Sequence, residues 1–178
     1  MYTLAHPSDA NPSGFVSPTR RRLPFVPYSP SQAWKLQLGR SQPLHSKIPF
    51  DYSGQSRQGV SMRDLRVNRD FIARLHGASD PVLQYPGLQK IVFRIQWPGY
   101  GHVEWCRNIP VAGLTRMALA VHIASNFAHF FEKAVYETAT APDWMISPNC
   151  VRFEHLYLIS LQNTFEDIWQ ADIALDLP

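Results

Sequence analysis

Cysteine is scarce in this chain: Cys106 and Cys150 are the two in 178 residues. Two cysteines make no disulfide framework, and no Cys-x-x-Cys or His-x-x-x-His pair completes the four ligands of a structural zinc. Charge is also sparse, at 17% of residues against a usual quarter or so. No apolar run approaches the 18 or so residues that span a membrane. The start, Met1-Tyr2-Thr3-Leu4-Ala5-His6-Pro7, has neither the basic nor the apolar part of a secretory signal. The expected location is therefore cytoplasmic or nuclear, with no membrane partner. P-loop, dinucleotide and Gly-x-Ser-x-Gly motifs are absent too, and no cofactor is expected.

Proline is what the chain has in excess. Eight of its fifteen prolines lie in the first fifty residues: Pro7, Pro12, Pro18, Pro24, Pro27, Pro30, Pro43 and Pro49. Charge is split in the same sense, at +7 over residues 1–74 and −4 over residues 75–178. A proline-broken segment without periodicity buries too little apolar surface to offset its ordering entropy. Residues 1–49 are thus expected to be a disordered basic arm, and residues 50–178 one α+β domain.

Within the domain, Ser61 with Asp64 three residues later marks a weak helix start. Leu65, Ile72 and Leu75 extend the helix over 61–75, and Gly77 ends it. Ile91, Phe93, Ile95 and Trp97 alternate with Val92, Arg94 and Gln96 as a strand. Pro98-Gly99-Tyr100-Gly101 turns the chain, and 102–107 returns as the second arm of a hairpin. Residues 115–139 form the longest helical stretch, with Thr115 as N-cap and Pro142 as stop. Its apolar face carries Met117, Ala120, Ile123, Ala124, Phe127, Phe131, Ala134 and Val135. A second hairpin follows, with an alternating run from Val151 to Leu161, a turn at Gln162-Asn163-Thr164, and a strand over 169–177. Asp172 and Asp176 on that last strand suit a solvent-facing or edge position. The architecture expected is α+β: a mainly antiparallel sheet of two hairpins, with a long amphipathic helix and a shorter one on one face.

Ile95-Gln96-Trp97-Pro98-Gly99-Tyr100, Leu114-Thr115-Arg116, and Leu156–Leu161 ending in Trp169-Gln170 together carry a family likeness. In that order they resemble an uncharacterised protein family of mushroom-forming, basidiomycete fungi, over about residues 60–177. Ile168 departs from the small residue that the family pattern places before the tryptophan. The resemblance implies no activity and no site. Trp97-Pro98-Gly99-Tyr100 with Trp105 also echoes the Trp-x-Gly-Tyr core of chromodomains, whose aromatic cage holds methyl-lysine. Trp105 arrives about two residues early for that cage, so aromatics packed in a core are expected instead.

Three functional readings follow. The leading one is a non-enzymatic protein-interaction module. Arg21-Arg22-Leu23-Pro24-Phe25-Val26-Pro27 fits the pattern of peptides that dock on SH3 domains. There, proline pre-sets a polyproline II helix and an arginine meets an acidic groove. The binding residues are then Arg20, Arg21, Arg22, Leu23, Pro24 and Pro27, and Ser17-Pro18 beside them resembles a proline-directed phosphorylation site. The second reading is nucleic-acid binding: Arg20–Arg22, Lys35, Arg40 and Lys47 would meet phosphates while Phe25, Tyr28 and Trp34 stack on bases. The third is an enzyme using His102, Glu104 and Cys106, which share a face if they lie on one strand. His122 and His129, about 10.5 Å apart along a helix, are too distant to hold one metal.

Overall fold

A computed structural model describes residues 20–29, 44–67, 70 and 74–178. Its strands are β1 (Arg20–Arg22), β2 (Ile48–Pro49), β3 (Val60–Ser61), β4 (Lys90–Ile95), β5 (Trp105–Pro110), β6 (Leu156–Phe165) and β7 (Ile168–Asp176). The helices are α1 (Met62–Val67) and α2 (Arg116–Ala134), with short 3-10 turns at Pro142–Trp144 and Phe153–His155. The fold is α+β, around one mixed, mostly antiparallel sheet ordered β2-β6-β7-β4-β5. β4–β5 and β6–β7 are antiparallel hairpins, and β4 joins β7 in parallel over Val92–Arg94.

β7 is central, which corrects its expected edge position. Its two edges are shared along its length: β6 takes one, while β4 and then β1 take the other. The strand alternates as a strand must. Trp169, Ile173 and Leu175 enter the core under α2, while Gln170, Asp172, Ala174 and Asp176 project to the opposite face.

α2 starts where expected, with the Thr115 hydroxyl accepting from the Ala118 N–H at 3.2 Å. It ends at Ala134, not 139, because the chain folds back and the Thr140 N–H reaches the Gly99 carbonyl at 2.9 Å. Val135 is consequently exposed, and the buried stripe gains Leu119, Ala128 and Phe130. Phe127 packs edge-on against Phe93, Phe131 against Trp97, and Phe130 against Trp105. Rings offset in this way add to the gain from burial. Phe153 sits at the border, partly buried against Phe131.

Among the described residues the shorter helix is Met62–Val67, within the expected 61–75, with the Ser61 hydroxyl accepting from Asp64 N–H at 3.3 Å; Ile72 lies outside the described residues. The first hairpin's return strand begins at Trp105, not His102. In the second hairpin the expected alternation is out of phase. Leu156 and Leu158, off the expected face, are fully buried while Tyr157 is half-buried, and Val151 to His155 precede the strand. A bulge between Leu158 and Ser160 then shifts the register, so that Leu161 and Asn163 face inward. Asn163 was expected in a turn. It lies inside β6, buried, with its amide donating to the Glu166 and Ile168 carbonyls at 2.6 and 3.1 Å.

The chromodomain-like aromatics serve the core. Trp97, Tyr100 and Trp105 are all buried. Trp97 Nε1 donates to the Trp144 carbonyl at 2.8 Å, and the Tyr100 hydroxyl accepts from Ile146 N–H at 2.9 Å. Gly99 between them has φ of 82°, and a Cβ there would meet Ala141 N at 2.6 Å.

Candidate functional site

Asp172 is fully buried on the face of β7 opposite α2. A carboxylate in that position needs a cation and hydrogen bonds. Arg22 supplies both: its Nε donates to Asp172 Oδ1 at 2.9 Å, and its Nη2 to Oδ2. This is the two-pronged geometry to which a guanidinium is suited. Arg22 gets there because β1 pairs antiparallel with β7, setting Arg20, Arg21 and Arg22 opposite Asp176, Leu175 and Ala174.

The other two arginines are received as well. Arg20 lies 3.5 Å over the Tyr157 ring, its Nη1 donates to the Gln58 carbonyl at 2.5 Å, and its Nε is 3.6 Å from Asp176. Arg21 projects to the other side and stacks 4.1 Å from the Trp144 ring, with Asp143 at 3.7 Å. Its side chain stays half exposed.

The chain then continues across the sheet. Leu23 is buried, and its N–H donates to the Ile173 carbonyl at 3.0 Å. The Gln170 side chain grips the backbone twice, accepting from Tyr28 N–H at 2.6 Å and donating to the Val26 carbonyl at 3.0 Å. Tyr28 packs against Phe165, with Arg94 5.0 Å from its ring. Between these anchors Pro24, Val26 and Pro27 are exposed, Val26 at 54%. A small cleft with room for about one water lies between this segment and β4; Phe25, Arg94, Gln96, Phe127 and Gln170 line it.

The expectation of a free arm through residue 49 is therefore corrected for residues 20–29 and 44–49. Leu44 N–H donates to Asn163 Oδ1 at 2.7 Å, His45 stacks on Tyr85 at 3.8 Å, and β2 pairs with β6. Residues 1–19 and 30–43 lie outside the described residues, and with them Ser17-Pro18, Trp34, Lys35 and Arg40. Of the six expected binding residues, Pro24 and Pro27 are displayed and Arg21 is half displayed. Arg20, Arg22 and Leu23 are engaged by the sheet. A partner reaching for the whole Arg21–Pro27 motif has to peel β1 from β7. The nucleic-acid reading loses its strongest charges, since Arg20, Arg21 and Arg22 each face an acid of the domain.

His102, Glu104 and Cys106 do not share a strand. His102 belongs to the turn, stacked on Tyr100 with Glu137 at 3.7 Å, whereas Cys106 lies in β5 beside Arg94 Nη1 at 3.4 Å. Among the described residues no three His, Cys, Asp or Glu side chains form a metal-sized group. His122 and His129 are exposed. Asn126, expected beside them on the polar face, is half-buried and accepts from Trp105 Nε1 at 3.0 Å.

Two titrating groups are displaced by their surroundings. Burial, with Arg152 adding to it, lowers the His155 pKa from its ordinary 6.5. Burial also pushes the Tyr52 hydroxyl up to about 12; it donates to Asp64 Oδ2 at 3.2 Å and accepts from Ser61 N–H at 3.3 Å. The functional pattern missed in the sequence is the Gln170–Asp172–Asp176 row. Its signal was present, as polar residues alternating through an apolar strand, but water and a partner strand leave the same mark.

No protein-family model, no curated protein and no solved structure matches the chain. Among the described residues no helix is long and apolar enough to cross a membrane.

Proposed function

We propose that this protein is a non-enzymatic interaction module that offers residues 24–27 to a partner's aromatic groove. The observation that carries this reading is the display of Pro24, Val26 and Pro27 on a segment pinned at Leu23, Val26 and Tyr28. A ligand held by its own fold loses less entropy on docking than a free tail does. Val26-Pro27 is the apolar-proline pair most open to a groove. Leu23-Pro24 offers its proline alone while β1 is seated. Membership of the fungal family, proposed on the motifs between residues 95 and 170, brings no activity with it.

The test is binding of the full chain to an array of SH3 and other proline-binding domains, read by anisotropy. Pro24→Ala with Pro27→Ala should weaken every positive interaction at least tenfold while the melting temperature stays within a few degrees. If no array member binds the wild-type chain, or if binding survives both changes, the reading fails.

A further inference from the structure

β1 behaves as a bound ligand would. It is three residues long, and each of its side chains is received by a group of the domain. The edge it uses is vacant because β4 pairs with β7 only up to Gln170. From Ile173 onward that edge has free backbone groups, and β1 and Leu23 bond to them. Main-chain pairing along an exposed edge, with sockets for alternate side chains, is how a sheet holds an extended peptide.

The sockets are specific in charge and spacing. Asp176 and Asp172 take Arg20 and Arg22, two residues apart and on one face, as strand periodicity requires. Trp144 and Asp143 take the residue between them on the other face. The next residue, Leu23, is buried among apolar neighbours.

We propose that this slot is a binding site for an extended basic strand of another protein, of the form Arg-Arg-Arg-Leu, and that β1 is its built-in occupant. Three acids around one short edge give the charge complementarity, within a part of the chain that is acidic overall. A tethered strand competes at an effective concentration on the order of millimolar. The site therefore opens to a strand in trans only when β1 lets go. The proposal is independent of the docking of Pro24 and Pro27, and its test involves no proline-binding partner.

The probe is a labelled peptide with the sequence of residues 18–25, titrated by anisotropy against full-length chains. Leu23→Asp places a charge in the apolar socket and releases the chain's own strand; Arg22→Gln releases it by removing the ion pair. Either variant should bind the peptide at least tenfold more tightly than wild type. Adding Asp172→Asn to Leu23→Asp should remove that gain. Variants that melt cooperatively yet bind no better than wild type would overturn the proposal. So would failure of both variants to fold, since β1 would then be an inseparable part of the core. Sedimentation of the wild-type chain should give a monomer at all concentrations. A dimer that Leu23→Asp abolishes would assign the slot to a second copy and overturn the assignment to another protein.

Discussion

The two faces of the sheet are held by different forces. Toward α2 the contacts are largely aromatic: Trp97, Phe93, Phe130 and Trp169 are all buried, and Phe93 meets Phe127, Trp97 meets Phe131 and Trp105 meets Phe130 edge to face. Stability there scales with apolar area removed from water. On the other face Asp172, Gln170 and Ser160 are just as buried but polar, and a thin extended segment engages Asp172 and Gln170. That side depends on matched partners. A buried carboxylate adds little when paired and costs much when left alone. One strand, β7, serves both faces, so the same alternation feeds an area-driven core and a pair-driven clasp.

The largest expected effect lies on the aromatic face. Phe130→Ala, and Phe131→Ala beside it, should each cost about 3–5 kcal/mol in denaturant unfolding. A loss below about 1 kcal/mol would show that α2 does not carry the core. The clasp should come next. Arg22→Ala should cost about 3 kcal/mol, because it strands Asp172. Arg22→Met with Asp172→Leu should return most of that loss, as an apolar pair of similar size leaves no charge behind. If the single change is nearly neutral, the second face is only a cover.

Gln170→Ala should cost about 1–2 kcal/mol, since it frees the Val26 carbonyl and the Tyr28 N–H together. The expected signature is faster amide exchange at 23–28 with unchanged exchange in β4. A pH effect should follow from His155, whose folded pKa is lowered. The unfolded chain then binds the proton more readily, so stability is full above pH 6.5 and falls as pH drops from there through the folded value. His155→Gln should flatten the melting temperature across that window, and an unchanged slope would place the titration elsewhere. The smallest effect belongs to Arg21→Ala, at under about 0.5 kcal/mol, because its half-exposed pair with Asp143 is screened by water.

The sequence by itself determined the local pieces: the α+β class, two hairpins, the Thr115 cap, the Ser61 helix start and the tight turn at Gly99. Each is written within a few residues as periodicity, a capping hydroxyl or a glycine at positive φ. Tertiary structure alone decided where those pieces end and what they face. α2 stops at Ala134 because Thr140 is drawn to Gly99. Asn163 stays in β6 because its amide finds the carbonyls of Glu166 and Ile168. Asp172 and Asp176 look like a solvated strand face in sequence, but they are sockets for Arg22 and Arg20. The arm's prolines argued against its packing, and its arginines outweighed them between residues 20 and 23. The physical reason is reach. Alternation says that a side chain is polar, not whether water or a cation satisfies it, and Arg22 stands 150 residues before the carboxylate it pairs with.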